Sequence, residues 1–177
     1  MGRSLIFVIL IGVLIFPTIA QAQQLTISAG PCNPPNTNEA PGASNVEMLQ
    51  LRLSTSSAGN VTVASIVFNA TGTGHDGSAT NFYYGDLAPH TAFPVRLFRD
   101  VNSNGLLDAG DIQLAPYGYY NTNNGVVSFT TNRIISAGTS EDWLLVYNFH
   151  SPNNSTGDTF QAWIGNTNLS VTGGKLC

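Results

Sequence analysis

The sequence predicts an all-β protein: an antiparallel β-sandwich of the jelly-roll or immunoglobulin-like type, with about eight to ten strands and one inserted calcium loop. Two observations predict this class. Short runs rich in Val, Ile, Leu, Thr and aromatic residues recur along the chain, separated by Gly, Asn, Pro and Ser. In addition, no stretch after residue 22 sustains the i, i+3, i+4, i+7 spacing of an amphipathic helix.

The predicted strands differ in how their apolar residues alternate. In residues 46–53, three leucines share one face, while Gln50 and Arg52 lie on the other. Residues 61–68 change parity partway along the run, which predicts a β-bulge. Both parities are apolar in residues 143–149, so we expect a central strand that is covered on both faces. Further strands are expected at residues 25–27, 95–98, 126–130, 159–164 and 169–172.

Residues 1–22 carry the three parts of a secretory signal peptide. Arg3 supplies the positive charge, residues 5–16 are almost entirely apolar, and the sequence Ala20-Gln21-Ala22 is typical of a cleavage site. The apolar run is about 15 residues long, whereas a membrane-spanning helix needs about 20. We therefore expect cleavage after Ala22, secretion to the cell exterior and no stable membrane insertion. About 155 residues remain, which is enough for one domain.

The charge of the chain argues against several partners. Lys plus Arg number 6 and Asp plus Glu number 10, and one of the positive residues is Arg3, so the mature balance is 5 − 10 = −5. Only 9% of the residues are charged, against about 25% in a typical soluble protein. This composition argues against a nucleic-acid-binding protein, which should carry a basic patch. It also argues against binding to anionic lipid headgroups by charge.

The start of the mature chain divides into three parts. Residues 23–30 form a short N-terminal strand, residues 31–45 (PCNPPNTNEAPGASN) form a Pro-rich spacer, and the sandwich domain occupies residues 46–177. Leu25 and Ile27 share one face of the first strand and are expected to insert into a core. That core could be the strand's own or that of a neighbouring subunit, in which case the segment is a donor strand.

The most specific chemical motif is the sequence DVNSNGLLDAGD at residues 100–111. Ca²⁺ prefers six to eight oxygen ligands, and an EF-hand-type loop supplies them from positions 1, 3, 5, 7, 9 and 12, with Gly at position 6. Gly105 stands at that sixth position. The predicted ligands of a structural Ca²⁺ are Asp100, Asn102, Asn104, the Leu106 carbonyl, Asp108 and Asp111.

These twelve residues resemble the calcium loop of dockerin modules, which also carry Asp at position 12. The resemblance implies ion binding by the matching positions. Dockerins duplicate the loop and follow it with a helix. Here the loop occurs once, and Pro116 limits any helix after it. The resemblance therefore does not extend to the cohesin binding of dockerins.

The chain contains two cysteines, Cys32 and Cys177. Export permits a disulfide between them. Such a bridge would close a loop of about 145 residues and contribute roughly 5 kcal/mol on chain-entropy arithmetic. A bridge between neighbouring chains is the alternative.

The sequence offers no recognisable catalytic set, so we expect no enzyme. The three histidines are not at metal-ligand spacing. His75-Asp76 lies in a Gly-rich loop and is interpreted as a solvated pair. Glu141 and Asp142 are adjacent on a strand and therefore point to opposite faces.

These features predict a secreted structural or adhesive protein that associates with copies of itself. In its layout, a detachable strand followed by a stiff spacer and a β-domain, the chain resembles TasA-like fibre subunits, which implies polymerisation by donor-strand exchange. The alternative is a module that binds polysaccharide or cell wall. Its aromatic residues would come from Tyr83, Tyr84, Trp143, Trp163 and above all the cluster Tyr117-Gly118-Tyr119-Tyr120.

Overall fold

The computed structural model describes residues 22–77, 85–88, 92–150, 157–165, 169–173 and 175–176. Almost all of the predicted signal peptide therefore lies outside the described residues. The ten strands are β1 (Gln24–Ala29), β2 (Val46–Thr55), β3 (Val61–Gly72), β4 (Val95–Asp100), β5 (Ile112–Gln113), β6 (Val126–Ile135), β7 (Ser140–Tyr147), β8 (Phe160–Trp163), β9 (Leu169–Thr172) and β10 (Lys175–Leu176). Within the described ranges, no helix is long and apolar enough to cross a membrane.

The strands form two sheets, and the predicted all-β class is confirmed. The six-stranded sheet has the order β10-β1-β2-β7-β4-β5. The four-stranded sheet has the order β6-β3-β8, and β9 also pairs with β3. All strand pairs are antiparallel except β1 with β10. One apolar core joins the two sheets, since Leu53 and Trp143 from the first pack in the same cluster as Ile66 and Phe129 from the second.

Two predictions from residue parity are confirmed. The register of β3 shifts between Val63 and Ser65 against both of its neighbours, which is the bulge that the parity change predicts. Strand β7 is central and buried on both faces. Trp143 belongs to the main core, whereas Leu144 and Val146 form a second, smaller apolar cluster on the opposite face.

Strand β1 lies inside the six-stranded sheet of its own chain. It pairs with β2 from Leu25↔Thr55 to Ala29↔Leu51. Leu25 is fully buried, and Ile27 is half-buried against the same core. The two predicted assembly residues thus fill a slot in the sandwich, and in this structure the chain itself supplies the strand.

The spacer after β1 is hydrogen-bonded to the fold near its beginning and at its end, where the Phe149 amide donates to the Ala43 carbonyl and the Asn45 amide to Asn148 Oδ1, both at 2.8 Å. The Gly30 and Cys32 amides donate to the backbone carbonyl and side-chain Oε1 of Gln50, at 2.8 and 2.7 Å. The backbone N–H of Gln50 in turn donates to Asn33 Oδ1 at 2.8 Å. Residues 34–39 make no hydrogen bond to another described residue. They form one wall of a cleft of ≈ 580 Å³ between β2 and β8.

Candidate functional site

The predicted calcium loop connects β4 to β5, and its first residue is bound inside the fold. Asp100 is only 2% exposed, because it ends β4 on the face that packs below the loop. Its Oδ2 accepts hydrogen bonds from the Gly105 amide at 2.8 Å and from Gln50 Nε2 at 2.6 Å. Among the described residues, its Oδ1 accepts only the Asn104 amide, at 3.2 Å. The chain therefore curves around this carboxylate, and one of its oxygens remains lightly engaged.

The middle ligand positions meet at Asp108. Asn102 Nδ2 and Asn104 Nδ2 both donate to Asp108 Oδ2, at 2.7 and 3.3 Å. The Gly110 amide donates to Asp108 Oδ1 at 2.9 Å. These donors, the Gly110 amide first, hold the pKa of the Asp108 carboxyl below its usual value. Three of the six predicted positions are thus already in mutual contact.

The last acidic position closes the loop. Asp111 Oδ1 accepts from the Val101 amide and Oδ2 from the Asp108 amide, both at 3.0 Å. The Leu106 side chain is exposed, and its amide donates to Asn104 Oδ1 at 2.8 Å. Gly105 has a φ of 76°, so the sharp turn at position 6 is present.

The oxygens that this loop offers come from both acids and amides. Among the described residues there is no group of three or more His, Cys, Asp or Glu side chains placed to hold a metal ion. The predicted ligand set relies instead on two Asn amides and a backbone carbonyl beside the three aspartates. Because the Asn102 and Asn104 side chains already converge on Asp108, rotation of their amides would direct oxygens to the same point. The residue types fit a hard cation, but the three aspartates do not form a group placed to hold one in the described structure.

The loop also covers the outer face of the six-stranded sheet. Leu107 packs on the small cluster of Phe98, Leu144 and Val146, and its amide donates to Glu47 Oε1 at 2.9 Å. A Cβ at Gly105 would lie 2.0 Å from the Cys32 carbonyl oxygen, so the loop and the spacer are in close contact there. Gln50 is the buried side chain that joins the two, since it bonds to Cys32 and Asp100 together.

The predicted disulfide has one end within the described residues. Cys32 is exposed and forms no bridge to another described residue. Cys177 lies outside the described residues. The pairing of Cys32 and Cys177 therefore stays a prediction.

Glu141 and Asp142 are structural ion-pair residues on opposite faces of β7. Asp142 accepts two hydrogen bonds from the Arg52 guanidinium, at 2.8 and 2.7 Å. Glu141 pairs with Arg133 at 2.6 Å and accepts from Trp143 Nε1 at 3.1 Å. Burial raises the pKa of both carboxyls, but the hydrogen bonds from their arginine partners outweigh it, and both pKa values lie below the usual range.

The interpretation of His75-Asp76 as a solvated pair is wrong. Asp76 is only 2% exposed and accepts the Asn124 amide at 2.7 Å. Asp86, also buried, accepts the His75 amide at 2.6 Å. Burial raises the pKa of both carboxyls. The turn at residues 121–124 folds over Asp76 and removes it from solvent, a contact that the local Gly-rich composition does not indicate.

The aromatic residues of the alternative function separate into core and surface. Trp143 and Tyr120 are fully buried. Tyr117 and Tyr119 are 38% and 37% exposed, and Trp163 is also exposed. Tyr83 and Tyr84 lie outside the described residues. Part of the predicted cluster is therefore exposed on the surface.

Sequence reasoning missed one member of this surface, Phe93. Its side chain is 50% exposed, and its ring lies 4.9 Å from the ring of Tyr117 at an interplanar angle of 70°. Asn148 Nδ2 donates to the carbonyls of Ala92 and Phe93 at 3.2 and 3.0 Å. Phe93 lies directly before Pro94 and β4, and nothing in this stretch of sequence indicates that its side chain is exposed.

Comparison with known protein families, with curated proteins and with solved structures found no significant match to this chain.

Proposed function

We propose that this protein is a secreted structural subunit that assembles with copies of itself by exchanging strand β1, and that Ca²⁺ bound at residues 100–111 stabilises it. One observation supports this proposal most strongly. Strand β1 supplies a fully buried core residue, Leu25, yet it is joined to β2 by the sixteen residues 30–45 rather than by a short turn.

The spacer is long enough for exchange. Sixteen extended residues reach roughly 50 Å, whereas Ala29 and Val46 belong to the same strand pair. Residues 34–39 form no hydrogen bond to the described fold, so releasing them breaks no ladder. The β1 slot of one subunit is identical to that of the next. A strand that leaves its own slot would therefore find the same contacts in a neighbour.

The edge that β1 covers must be filled by a strand, either from the same chain or from a neighbour. Removal of β1 would uncover Leu51 and Leu53 and leave one edge of β2 unpaired. Full burial of a leucine is worth about 1.5–3 kcal/mol, so an empty slot is unfavourable in either arrangement. A free edge of this kind is a template for strand addition.

Calcium would act as a structural clamp in this account. The loop covers the outer face of β7 and contacts the spacer at Cys32. The side chains of Asp100, Asn102, Asn104, Asp108 and Asp111 would hold the ion together with the Leu106 carbonyl. Because Asp100 is bonded to Gln50, the clamp and the attachment of the spacer share one buried residue.

Size-exclusion chromatography with light scattering tests the assembly. The mature wild type should form species larger than a monomer as its concentration rises, and Leu25→Asp together with Ile27→Asp should abolish them. A matched control, Thr26→Asp, changes an exposed side chain on the opposite face of β1. A peptide of residues 23–30 should bind a chain that lacks β1 and hold it as a monomer. A wild type that stays monomeric at every concentration contradicts the proposal.

A second function, polysaccharide binding, is supported by a different observation. Phe93 and Tyr117 form an exposed pair of rings beside Asn148, at the end of the sandwich where β4 begins and β7 ends. Exposed aromatic rings suit the apolar face of a sugar ring, and Asn148 holds the Phe93 backbone in place through its carbonyl. Retardation on insoluble glycans, lost in Phe93→Ala, tests this function. It is compatible with assembly, because these residues lie on neither β1 nor the calcium loop.

A further inference from the structure

We propose that the aromatic surface at Phe93 and Tyr117 binds an anionic polysaccharide, with Arg96 contacting the acidic group of the sugar. This inference rests on the second proposed function and specifies its ligand class. It is argued from the charge, the position and the hydrogen bonding of Arg96.

Arg96 differs from the other arginines that the structure describes. Arg52, Arg99 and Arg133 each pair with a carboxylate within 4.0 Å, and Arg96 does not. All ten Asp and Glu side chains of the sequence lie in the described ranges, and none of them is within 4.0 Å of the Arg96 guanidinium. Since the chain is acidic overall, an arginine without an acidic partner at a half-buried position is a specific feature rather than a consequence of charge excess.

The guanidinium of Arg96 stacks over the Phe98 ring, with its Cζ 5.2 Å from the ring centroid, and among the described residues its hydrogen bonds go only to amide oxygens. Its Nη2 donates to Asn45 Oδ1 and, at 3.4 Å, to Asn148 Oδ1. Its Nε is buried and has no acceptor among the described residues. A buried donor without a partner costs free energy, and this cost is recovered when a ligand or a rearrangement supplies an acceptor. The pKa of the group is lowered by burial, which agrees with the missing counter-charge.

The strand pairing directs Arg96 and Tyr117 to the same side of the sheet. Val95 and Gly118 exchange backbone hydrogen bonds at 3.2 and 2.8 Å. Val95 points into the core, and a Cβ at Gly118 would point there too, toward Val127. Side chains alternate along strands, so the next residues, Arg96 and Tyr117, emerge together on the outer face.

The backbone around this group is held in an uncommon conformation. Phe93 and Asn45 have φ values of 55° and 60°, and such a φ is costly for a bulky residue such as Phe. Asn148 bonds to both segments, since it accepts from the Asn45 amide at 2.8 Å and donates to the Phe93 carbonyl. Strain that displays an aromatic ring to solvent, without burying it, is typical of a binding site.

These properties together favour one ligand class. The two rings stand at 70° and form a corner, in which a pyranose can stack on one ring and contact the other edge-on. The Arg96 guanidinium, which bonds to the same Asn148 side chain as the Phe93 carbonyl, fits a carboxylate or sulfate on the same sugar. A single arginine in an acidic chain is too little positive charge for nucleic acid. The shared chemistry is therefore a sugar ring that carries an anionic group.

Isothermal titration of the mature protein with short oligosaccharides tests this inference. The three probes are an oligogalacturonate, a sulfated oligodextran and a neutral cello-oligosaccharide. We expect binding of one or both anionic probes, weakened by raising the salt concentration. Arg96→Gln should weaken that binding about 10- to 100-fold. The matched control is Arg99→Gln, which removes the same charge from the opposite face of β4 and should leave the affinity unchanged within about twofold.

The outcomes separate the ligand class from the function. If only the sulfated probe binds and Arg96→Gln abolishes binding, the anionic group is a sulfate; if only the uronate binds, it is a carboxylate. Equal binding of the neutral probe, lost in Phe93→Ala and unaffected by Arg96→Gln, overturns the role of Arg96 and leaves glycan binding standing. Failure of the wild type to bind any probe overturns both. Should Arg96→Gln not fold, the salt dependence of wild-type binding decides the role of Arg96, because binding of an anionic probe that does not weaken with salt overturns it.

Discussion

Replacement of Gln50 by Leu should destabilise the fold strongly, although Gln50 is a polar residue 50 positions away in sequence from the first predicted ligand, Asp100. The side chain is fully buried and connects two segments that are distant in sequence. Its Nε2 donates to the Asp100 carboxylate at 2.6 Å, and its Oε1 accepts the Cys32 amide at 2.7 Å. Leucine has a similar volume and makes neither bond.

The loss of stability can be estimated from the two groups that would lose a hydrogen-bond partner, the Asp100 carboxylate and the Cys32 amide. Loss of a hydrogen bond to a buried charged group costs about 1.5–3 kcal/mol, and loss of one to a neutral amide about 0.5–1.5 kcal/mol. We therefore expect Gln50→Leu to lower the free energy of unfolding by about 2–4 kcal/mol. With a urea m-value of about 1–3 kcal/mol/M, the midpoint should fall by roughly 1–2 M.

Urea unfolding followed by tryptophan fluorescence measures this change, since Trp143 is fully buried. The matched control is Gln161→Leu, an exposed glutamine on β8 that should change stability by no more than about 0.5 kcal/mol. If Gln50→Leu shifts the midpoint no further than the control does, Gln50 does not join the spacer to the loop, and the coupling between them is refuted.

Three further predictions concern the ion, the buried acids and the cysteines. Calcium at a hundredfold excess over its Kd should stabilise the wild type by about 2.7 kcal/mol. Asp100→Ala should lose this gain, and the control Asp158→Ala should keep it. A wild-type melting temperature that chelator does not change would refute the ion site. Because burial raises the pKa of Asp76, its contribution to stability is present below the unfolded pKa and lost as pH rises through the folded pKa. Asp76→Asn should therefore stabilise the protein at pH 7 in thermal melts, and the difference should disappear below about pH 4; a constant difference across pH would contradict the burial effect. Mass spectrometry of a non-reduced digest should find Cys32 and Cys177 oxidised. Detection of both cysteines as free thiols would contradict the predicted disulfide.

The sheets could be predicted because burial in a sandwich alternates along each strand. The parity change around Val63 predicted the bulge, and the doubly apolar run after Asp142 predicted the central strand. These patterns lie within single strands, so they can be recognised in the sequence without knowing which strands pair. The order of the strands was not predictable, since β2 pairs with β7 across some ninety residues.

The candidate sites were predictable only where their residues are close in sequence. The loop ligands follow a fixed spacing within residues 100–111, whereas Gln50, which bonds to Asp100, lies 50 positions away. The group of Phe93, Arg96 and Asn148 is brought together by the ends of β4 and β7, and none of these residues forms a motif. Asp76 was misjudged for the same reason, because the turn that buries it lies 48 residues downstream.

Intermolecular cross-linking tests the exchange of β1 most directly. Thr26 and Ser54 lie opposite each other on β1 and β2, and opposed strand positions suit a disulfide. In a background of Cys32→Ser and Cys177→Ser, chains with Thr26→Cys are mixed with chains with Ser54→Cys and oxidised. A control mixture replaces Ser54→Cys by Thr172→Cys, which lies on the other sheet and reports random collisions.

If β1 crosses between subunits, the Thr26→Cys and Ser54→Cys mixture should form a disulfide-linked pair of unlike chains far above the control, increasing with protein concentration. If the pair forms no more than in the control, while a chain carrying both substitutions closes its bridge internally, β1 never leaves its own sheet. That result would contradict assembly by strand exchange.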